Sequence, residues 1–104
     1  NLCEALRSRG FAAVTAASVL ETERLGPVVP FCALVDLRLP GGPDGEAMRR
    51  LSRKFPGLPM IVVTGYADET PPEPPEAVFT KPFDTRALLA AIERLHAARP
   101  GTSR

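Results

Sequence analysis

The chain has 104 residues, enough for one modest domain, and 44% of them are hydrophobic while 24% are charged. This composition is typical of folded globular proteins and excludes a disordered chain. The 13 Lys and Arg residues are balanced by 12 Asp and Glu residues, so we expect no nucleic-acid binding, which requires a basic excess. No apolar run reaches the roughly 18 residues of a membrane span and no signal sequence opens the chain, which predicts a cytoplasmic protein without a membrane segment.

The opening residues predict a helix followed by a strand. Leu2 and Leu6 stand four residues apart, and Gly10 follows as the residue type that most easily adopts a left-handed conformation after a helix. We therefore interpret residues 1–9 as the second half of a helix. Residues 11–16 are small and β-branched behind a phenylalanine, which predicts a short strand.

A second helix and a buried strand follow. Ser18 with Glu21 three residues later fits a capping box and predicts a short helix over residues 18–25. Residues 31–35 form a continuous apolar run, which is the pattern of a strand covered by helices on both faces. The run ends abruptly at Asp36.

The middle of the chain repeats this alternation. Residues 39–45 are rich in Gly and Pro and predict a turn, after which Asp44 can cap a helix that ends near Pro56 and Gly57. Residues 60–63 predict a second buried strand. It also ends at a hydrogen-bonding side chain, Thr64.

The remaining segment predicts a loop, a strand and a helix. Four prolines within residues 71–75 would each remove a backbone donor from a helix and clash with its preceding turn, which predicts a loop. Residues 77–80 predict a short strand that ends at Lys81 and Pro82. Asp84 then caps a closing helix with apolar residues on one face.

This alternation predicts an α/β fold with a parallel sheet, right-handed crossovers and helices on both faces. Sites in such sheets form at the carboxyl ends of the strands, where Asp36, Thr64 and Lys81 should meet. A carboxylate nucleophile, with a hydroxyl and an ammonium to bind phosphoryl oxygens, suits the capture of a phosphoryl group. Taken singly, the three residues have plainer explanations: a turn, a strand-end hydrogen bond and a solvated charge. Their coincidence at successive strand ends favours a site.

Three motifs around these residues resemble the receiver domains of bacterial two-component response regulators. Residues 33–41 (ALVDLRLPG), followed by Asp44 and Gly45, look like the phospho-acceptor strand of that family and the loop behind it. Residues 61–66 (IVVTGY) resemble its fourth strand, and residues 79–83 (FTKPF) resemble the end of its fifth. When the chain is aligned with the family through these three motifs, the resemblance extends from end to end.

The resemblance implies a flavodoxin-like, three-layer, doubly wound sheet with strand order 2-1-3-4-5. The first strand of the family, with the adjacent acidic residues that hold Mg²⁺, has no counterpart in this sequence, and the fourth helix should be reduced where the prolines cluster. We therefore expect an N-terminally truncated receiver domain over residues 1–98 and a disordered tail over residues 99–104.

By the same resemblance, Asp36 would accept a phosphoryl group from a histidine kinase or phosphotransfer protein, with Thr64 as the switch hydroxyl and Lys81 as the phosphate-binding cation. Mg²⁺ would bridge the carboxylate and phosphoryl oxygens, and Arg38 would offer the metal only its backbone carbonyl. The bond before Pro82 would be cis. Such a domain is a signalling module and not an enzyme, and its output would act on a downstream protein or a fused upstream domain.

An alternative is a pseudo-receiver, a phosphorylation-independent protein-interaction domain, which the missing acidic pair and the reduced fourth helix would suit. Val78 stands where many family members carry a switching aromatic, and Phe79 should point to the opposite face of the strand. We interpret Tyr66 as an exposed loop tyrosine. A flavin- or nucleotide-binding enzyme would need a Gly-rich phosphate loop after a strand, a pattern that Gly41 and Gly42 lack.

The remaining candidates for chemistry are two cysteines and one histidine. Cys3 and Cys32 lie in apolar settings without metal-ligand spacing and predict reduced, buried thiols. His96 has no second ligand at helical spacing, which predicts a surface or helix-end residue with no metal or catalytic role.

Overall fold

The computed structural model describes residues 2–13, 18–26, 29–39, 41–43, 45–66, 68 and 70–98. Within these residues, three strands form one parallel sheet in the order β1-β2-β3, with bounds β1 Ala33–Asp36, β2 Met60–Thr64 and β3 Ala77–Thr80. The same part of the chain contains four helices, α1 Leu2–Ser8, α2 Val19–Glu23, α3 Glu46–Lys54 and α4 Thr85–Ala98. The predicted α/β class with a parallel sheet is confirmed. The tail predicted over residues 99–104 lies outside the described residues.

The central strand β2 pairs with a strand on each side, and all five of its residues are buried. Its apolar run is covered on both faces because successive side chains of a strand point in opposite directions. Ile61 belongs to the apolar cluster that includes Leu88 and Ile92 of α4, whereas Val62 belongs to the cluster that includes Met48 of α3. Helices therefore lie on both faces of the sheet, which gives the three-layer arrangement of the flavodoxin-like fold.

The strand predicted over residues 11–16 is not found at its start. Residues 11–13 belong to no strand, and the rest of the predicted strand lies outside the described residues. The backbone N–H of Phe11 instead donates to the carbonyl of Leu6, at 3.1 Å, in the turn that ends α1. The prediction failed here because β propensity alone does not supply the neighbouring strand edge that a strand needs for its hydrogen bonds.

The ring of His96 takes part in an aromatic cluster that the sequence did not indicate. Its centroid lies 5.3 Å from that of Phe11 and 4.9 Å from that of Phe31, both in edge-to-face geometry. The cluster joins α4 to the segments that precede β1. Cys32 beside it is a half-buried free thiol, and burial raises its pKa to about 11, so the thiol stays protonated at neutral pH.

The predicted caps of two helices are present. The Ser18 hydroxyl accepts a hydrogen bond from the backbone N–H of Glu21 at 3.2 Å, and Asp84 accepts one from the N–H of Arg86 at 2.9 Å. Each bond satisfies a backbone donor that the first turn of a helix leaves without an intrahelical partner. The helix after Ser18 ends at Glu23, two residues before its predicted end.

The third helix begins differently from its prediction. Its N-cap is Gly45, with a φ of 84°, and Asp44, the predicted cap, lies outside the described residues. A Cβ atom on Gly45 would lie 2.9 Å from Cδ of Pro72, a contact that ordinary packing does not allow. The proline-rich segment therefore packs against the start of α3, and Gly45 is required both by its backbone conformation and by this contact.

Between β2 and β3, the described residues contain no helix, which confirms the predicted loop and the reduced fourth helix. Because this segment forms no helix, one face of β3 is left exposed. Val78 is 48% exposed, although its register neighbour Val62 on β2 is fully buried. The helical layer on that face covers β1 and β2 and leaves β3 open.

Val62 and Val78 offer a matched test of this uneven coverage. We expect Val62→Ala to lower the free energy of unfolding by about 2 kcal/mol, because it removes two buried methyl groups and leaves a cavity. Val78→Ala should cost less than about 0.5 kcal/mol, because that side chain already contacts solvent. Urea denaturation of the two variants measures both values, and equal losses would contradict the exposed position of Val78.

Candidate functional site

Asp36, Thr64 and Lys81 meet at the carboxyl edge of the sheet, as three consecutive parallel strands require. Asp36 is the last residue of β1, Thr64 is the last residue of β2, and Lys81 directly follows β3. The Lys81 ammonium lies 2.9 Å from Oδ2 of Asp36, and the Lys81 backbone N–H donates to the Thr64 carbonyl at 2.7 Å. Two residues that are 45 positions apart in the sequence thus form an ion pair.

The register of the strands explains which side chains can touch. Asp36 is the register partner of Val63, and Val63 is the partner of Phe79, so these three residues form one row on the α4 face. Lys81 lies two residues beyond Phe79, which places it on the same face because side chains alternate along a strand. Thr64 is on the other face. The long Lys81 side chain therefore reaches Asp36 across the end of the central strand.

Both oxygens of the Asp36 carboxylate are engaged. Oδ1 accepts a hydrogen bond from the backbone N–H of Arg38 at 3.0 Å, and Oδ2 accepts one from Lys81. The Asp36 carbonyl also accepts from the N–H of Leu39, at 3.2 Å, so the chain turns tightly after the strand. The side chain of Asp36 is nevertheless 39% exposed. The carboxylate is thus both fixed in orientation and accessible to solvent.

Opposing effects set the ionisation of Asp36. Partial burial raises its pKa, but the hydrogen bond from the Arg38 N–H, the hydrogen bond from Lys81 and the charges of both cations lower it more. The net result is a pKa below the ordinary value of 3.8. At neutral pH the group is an ionised carboxylate, which is the form that acts as a nucleophile.

The Thr64 hydroxyl is bound to the chain that follows it. Thr64 is 2% exposed, and its Oγ1 accepts a hydrogen bond from the Tyr66 N–H at 3.1 Å and donates to the Tyr66 carbonyl at 3.4 Å. The hydroxyl thus shapes the first turn after β2.

The structure adds a contact that the sequence does not predict. The Arg38 guanidinium carbon lies 3.9 Å from the centroid of the Tyr66 ring, a cation–π stack beside Asp36. The resemblance implies a role only for the backbone carbonyl of Arg38. The signal was present in the spacing, because Arg38 and Tyr66 each stand two residues after the ends of adjacent parallel strands.

The residues after β3 complete the edge of the site. The peptide bond between Lys81 and Pro82 is cis, the isomer that the resemblance implies. Phe79 packs edge-on against Phe83 with a centroid separation of 6.3 Å, in the apolar cluster on the α4 side. The exposed Val78 lies on the opposite face, as the alternation of a strand predicts.

The described residues alone do not make up a magnesium site. Mg²⁺ prefers an octahedral set of oxygen ligands that includes carboxylates. Asp36 supplies one carboxylate, and Arg38 could supply a backbone carbonyl. Among the described residues there is no group of three or more His, Cys, Asp or Glu side chains that could hold a metal ion. The remaining ligands of a Mg²⁺ ion would have to come from groups other than the described residues.

The ion pair predicts a change in the titration of Asp36. Lys81→Met should raise the pKa of Asp36, because it removes the hydrogen bond and the charge of Lys81, both of which lower that pKa, and leaves the opposing effect of burial in place. NMR titration of the Asp36 carboxyl carbon measures this shift. Lys54→Met is the matched control, because Lys54, the other lysine of the chain, bonds to the Glu23 carbonyl on a distant surface.

The same variant should alter stability in acid, with a definite sign. The folded-state pKa of Asp36 is lowered, so its ionised form stabilises the fold above pH 3.8, and this contribution is lost as the pH falls through the folded-state pKa. Lys81→Met should therefore reduce the acid-dependent loss of stability. An unchanged pKa in Lys81→Met would contradict the ion pair.

No model of a known protein family matches the chain. Among curated proteins, the chain is 72% identical over 102 residues to a response regulator receiver protein of Anaeromyxobacter sp. (strain Fw109-5). The matched region is 98% of this chain and 42% of that protein, so the chain spans about two-fifths of the length of this relative.

Proposed function

Because the chain belongs to the receiver family of response regulators, we propose that it accepts a phosphoryl group on Asp36 as a module of a two-component phosphorelay. The observation that carries this proposal is the Asp36 carboxylate at a strand end, 2.9 Å from the Lys81 ammonium and partly open to solvent. An ionised carboxylate is a competent nucleophile, and a neighbouring cation can bind the oxygens of the incoming group.

The proposed transfer is an attack of one Asp36 oxygen on the phosphorus of a phosphohistidine in a histidine kinase or a phosphotransfer protein. An oxygen–phosphorus bond forms while the nitrogen–phosphorus bond breaks, and its electron pair remains on the imidazole, which leaves neutral when its other nitrogen carries a proton. In the later hydrolysis, water attacks the phosphorus and the bond to Asp36 breaks. The carboxylate is regenerated, and the protons of the water pass to phosphate and solvent.

Lys81 and Thr64 would then respond to the new group. A phosphoryl group on Asp36 adds negative charge and acceptor oxygens, so Lys81 would exchange its carboxylate contact for a phosphoryl oxygen. The Thr64 hydroxyl would leave the main chain of Tyr66 and donate to the same group. The loop after β2 would thereby change its conformation, and a changed protein-binding surface is the proposed output.

The cellular setting belongs to the same proposal. In the described part of the chain, no helix is long and apolar enough to cross a membrane. We propose a cytoplasmic location, where a histidine kinase can reach the site, and an output directed at a downstream protein or a fused domain. We also propose Mg²⁺ as the cofactor, with ligands beyond those that the described residues supply.

The direct test is intact-mass measurement of the complete protein incubated with Mg²⁺ and acetyl phosphate. The wild type should gain the mass of one phosphoryl group, and Asp36→Asn should gain none, because an amide is not a comparable nucleophile. Asp68→Asn is the control, because it changes an exposed aspartate of the loop between β2 and β3. An unlabelled wild type would favour the alternative, a phosphorylation-independent interaction domain.

Thr64 provides a separate test of the response. We expect Thr64→Val to accept the phosphoryl group and to lose the change that phosphorylation causes in the NMR signal of the Tyr66 amide, because valine has the shape of threonine without its hydroxyl. Thr64→Ser retains the hydroxyl and should retain the change. A Thr64→Val variant with the full change at Tyr66 would remove Thr64 from the switch.

A further inference from the structure

The Arg38 side chain brings a cation to the mouth of the site and lies against an aromatic ring. Its guanidinium carbon is 3.9 Å from the centroid of the Tyr66 ring. Both side chains are exposed, Tyr66 by 51%, and the backbone N–H of Arg38 donates to Oδ1 of Asp36. The stack is therefore solvent-accessible and is joined through the Arg38 main chain to the carboxylate.

The stack holds the guanidinium in an orientation that suits an anion. Aromatic contact uses a face of the guanidinium plane, whereas the N–H donors of arginine point outward within that plane. A phosphoryl group offers several acceptor oxygens, which the fork of N–H donors matches better than a single ammonium does. A ring that limits the rotation of the Arg38 side chain also lowers the entropy lost when a donor is bound.

The position of Arg38 relative to Asp36 supports the same conclusion. The backbone N–H of Arg38 donates to Oδ1 of Asp36 at 3.0 Å, whereas Lys81 contacts Oδ2 at 2.9 Å. Arg38 is thus anchored on the Oδ1 side of the carboxylate, and the Lys81 ammonium lies on the Oδ2 side.

We propose that the Arg38 guanidinium binds the phosphoryl oxygens of the incoming donor before transfer, and that Tyr66 is a positioning residue that holds Arg38 in place. The ligand class is a dianionic phosphoryl group carried on nitrogen or on an acyl oxygen. This inference rests on the proposed function of Asp36. It gives the Arg38 side chain a role beyond the backbone carbonyl expected from the sequence.

The test is the initial rate of Asp36 phosphorylation in the complete protein as a function of acetyl phosphate concentration. Arg38→Gln should raise the half-saturating concentration about tenfold, because a charged hydrogen-bonding partner of the donor is lost. The rate at saturation should change less than about twofold, because the nucleophile and Lys81 are intact. Arg53→Gln removes the same charge from an exposed position on α3 and should behave as the wild type.

Further variants separate the ring from the charge. Tyr66→Phe retains the aromatic face and should match the wild type, whereas Tyr66→Ala should raise the half-saturating concentration about threefold without lowering the rate at saturation. Arg38→Lys keeps the charge without the planar fork and should give an intermediate value, which provides a second reading if Arg38→Gln is poorly folded.

The possible outcomes distinguish this inference from the proposal on which it rests. If the wild type is phosphorylated and both Arg38 variants have its half-saturating concentration, the inference is wrong and the proposed function stands. The inference is also wrong if only the rate at saturation falls, because Arg38 would then act after binding. A wild type that acquires no phosphoryl group overturns the proposed function and this inference together.

Discussion

The parallel pairing of β2 with a strand on each side is the constraint on which the rest of the structure depends. It satisfies the backbone of a fully buried strand and sets β1 and β3 in one direction, so that all three strands end at one edge. The register then decides which side chains share a face. Asp36 and Lys81 fall on one side of the sheet, and Thr64 falls on the other.

This arrangement meets two opposing demands of the proposed function. A carboxylate that accepts a phosphoryl group would have to be held in a defined orientation, and it would also have to be reached by a large partner protein. Asp36 meets the first demand through a main-chain N–H and the Lys81 ammonium, and it meets the second because it stands at the end of its strand, where its side chain remains partly exposed. The electrostatic cost of partial burial is offset by the same two contacts.

Much of the fold follows from the sequence because its main signals are local. The apolar runs before Asp36 and Thr64 indicate buried strands, and caps such as Ser18 and Asp84 mark where helices begin. The strand predicted over residues 11–16 is wrong at its described start, residues 11–13, because pairing depends on a neighbouring strand that propensity does not specify. The stack of Arg38 on Tyr66 was not predicted for a related reason. The equal spacing of Arg38 and Tyr66 from their strand ends indicates a contact only when the register between the two strands is known, and a single sequence does not specify that register.

The close contact between Gly45 and Pro72 has a consequence for how this domain can vary among related sequences. A side chain at position 45 would have to adopt a left-handed backbone conformation and would occupy the space of the Pro72 ring. Substitutions at positions 45 and 72 are therefore not independent. A change at position 45 would become tolerable only after the proline-rich segment had moved away. The proline-rich loop between β2 and β3 is thereby coupled to the turn that follows β1. We expect the sequences of these two segments to vary together.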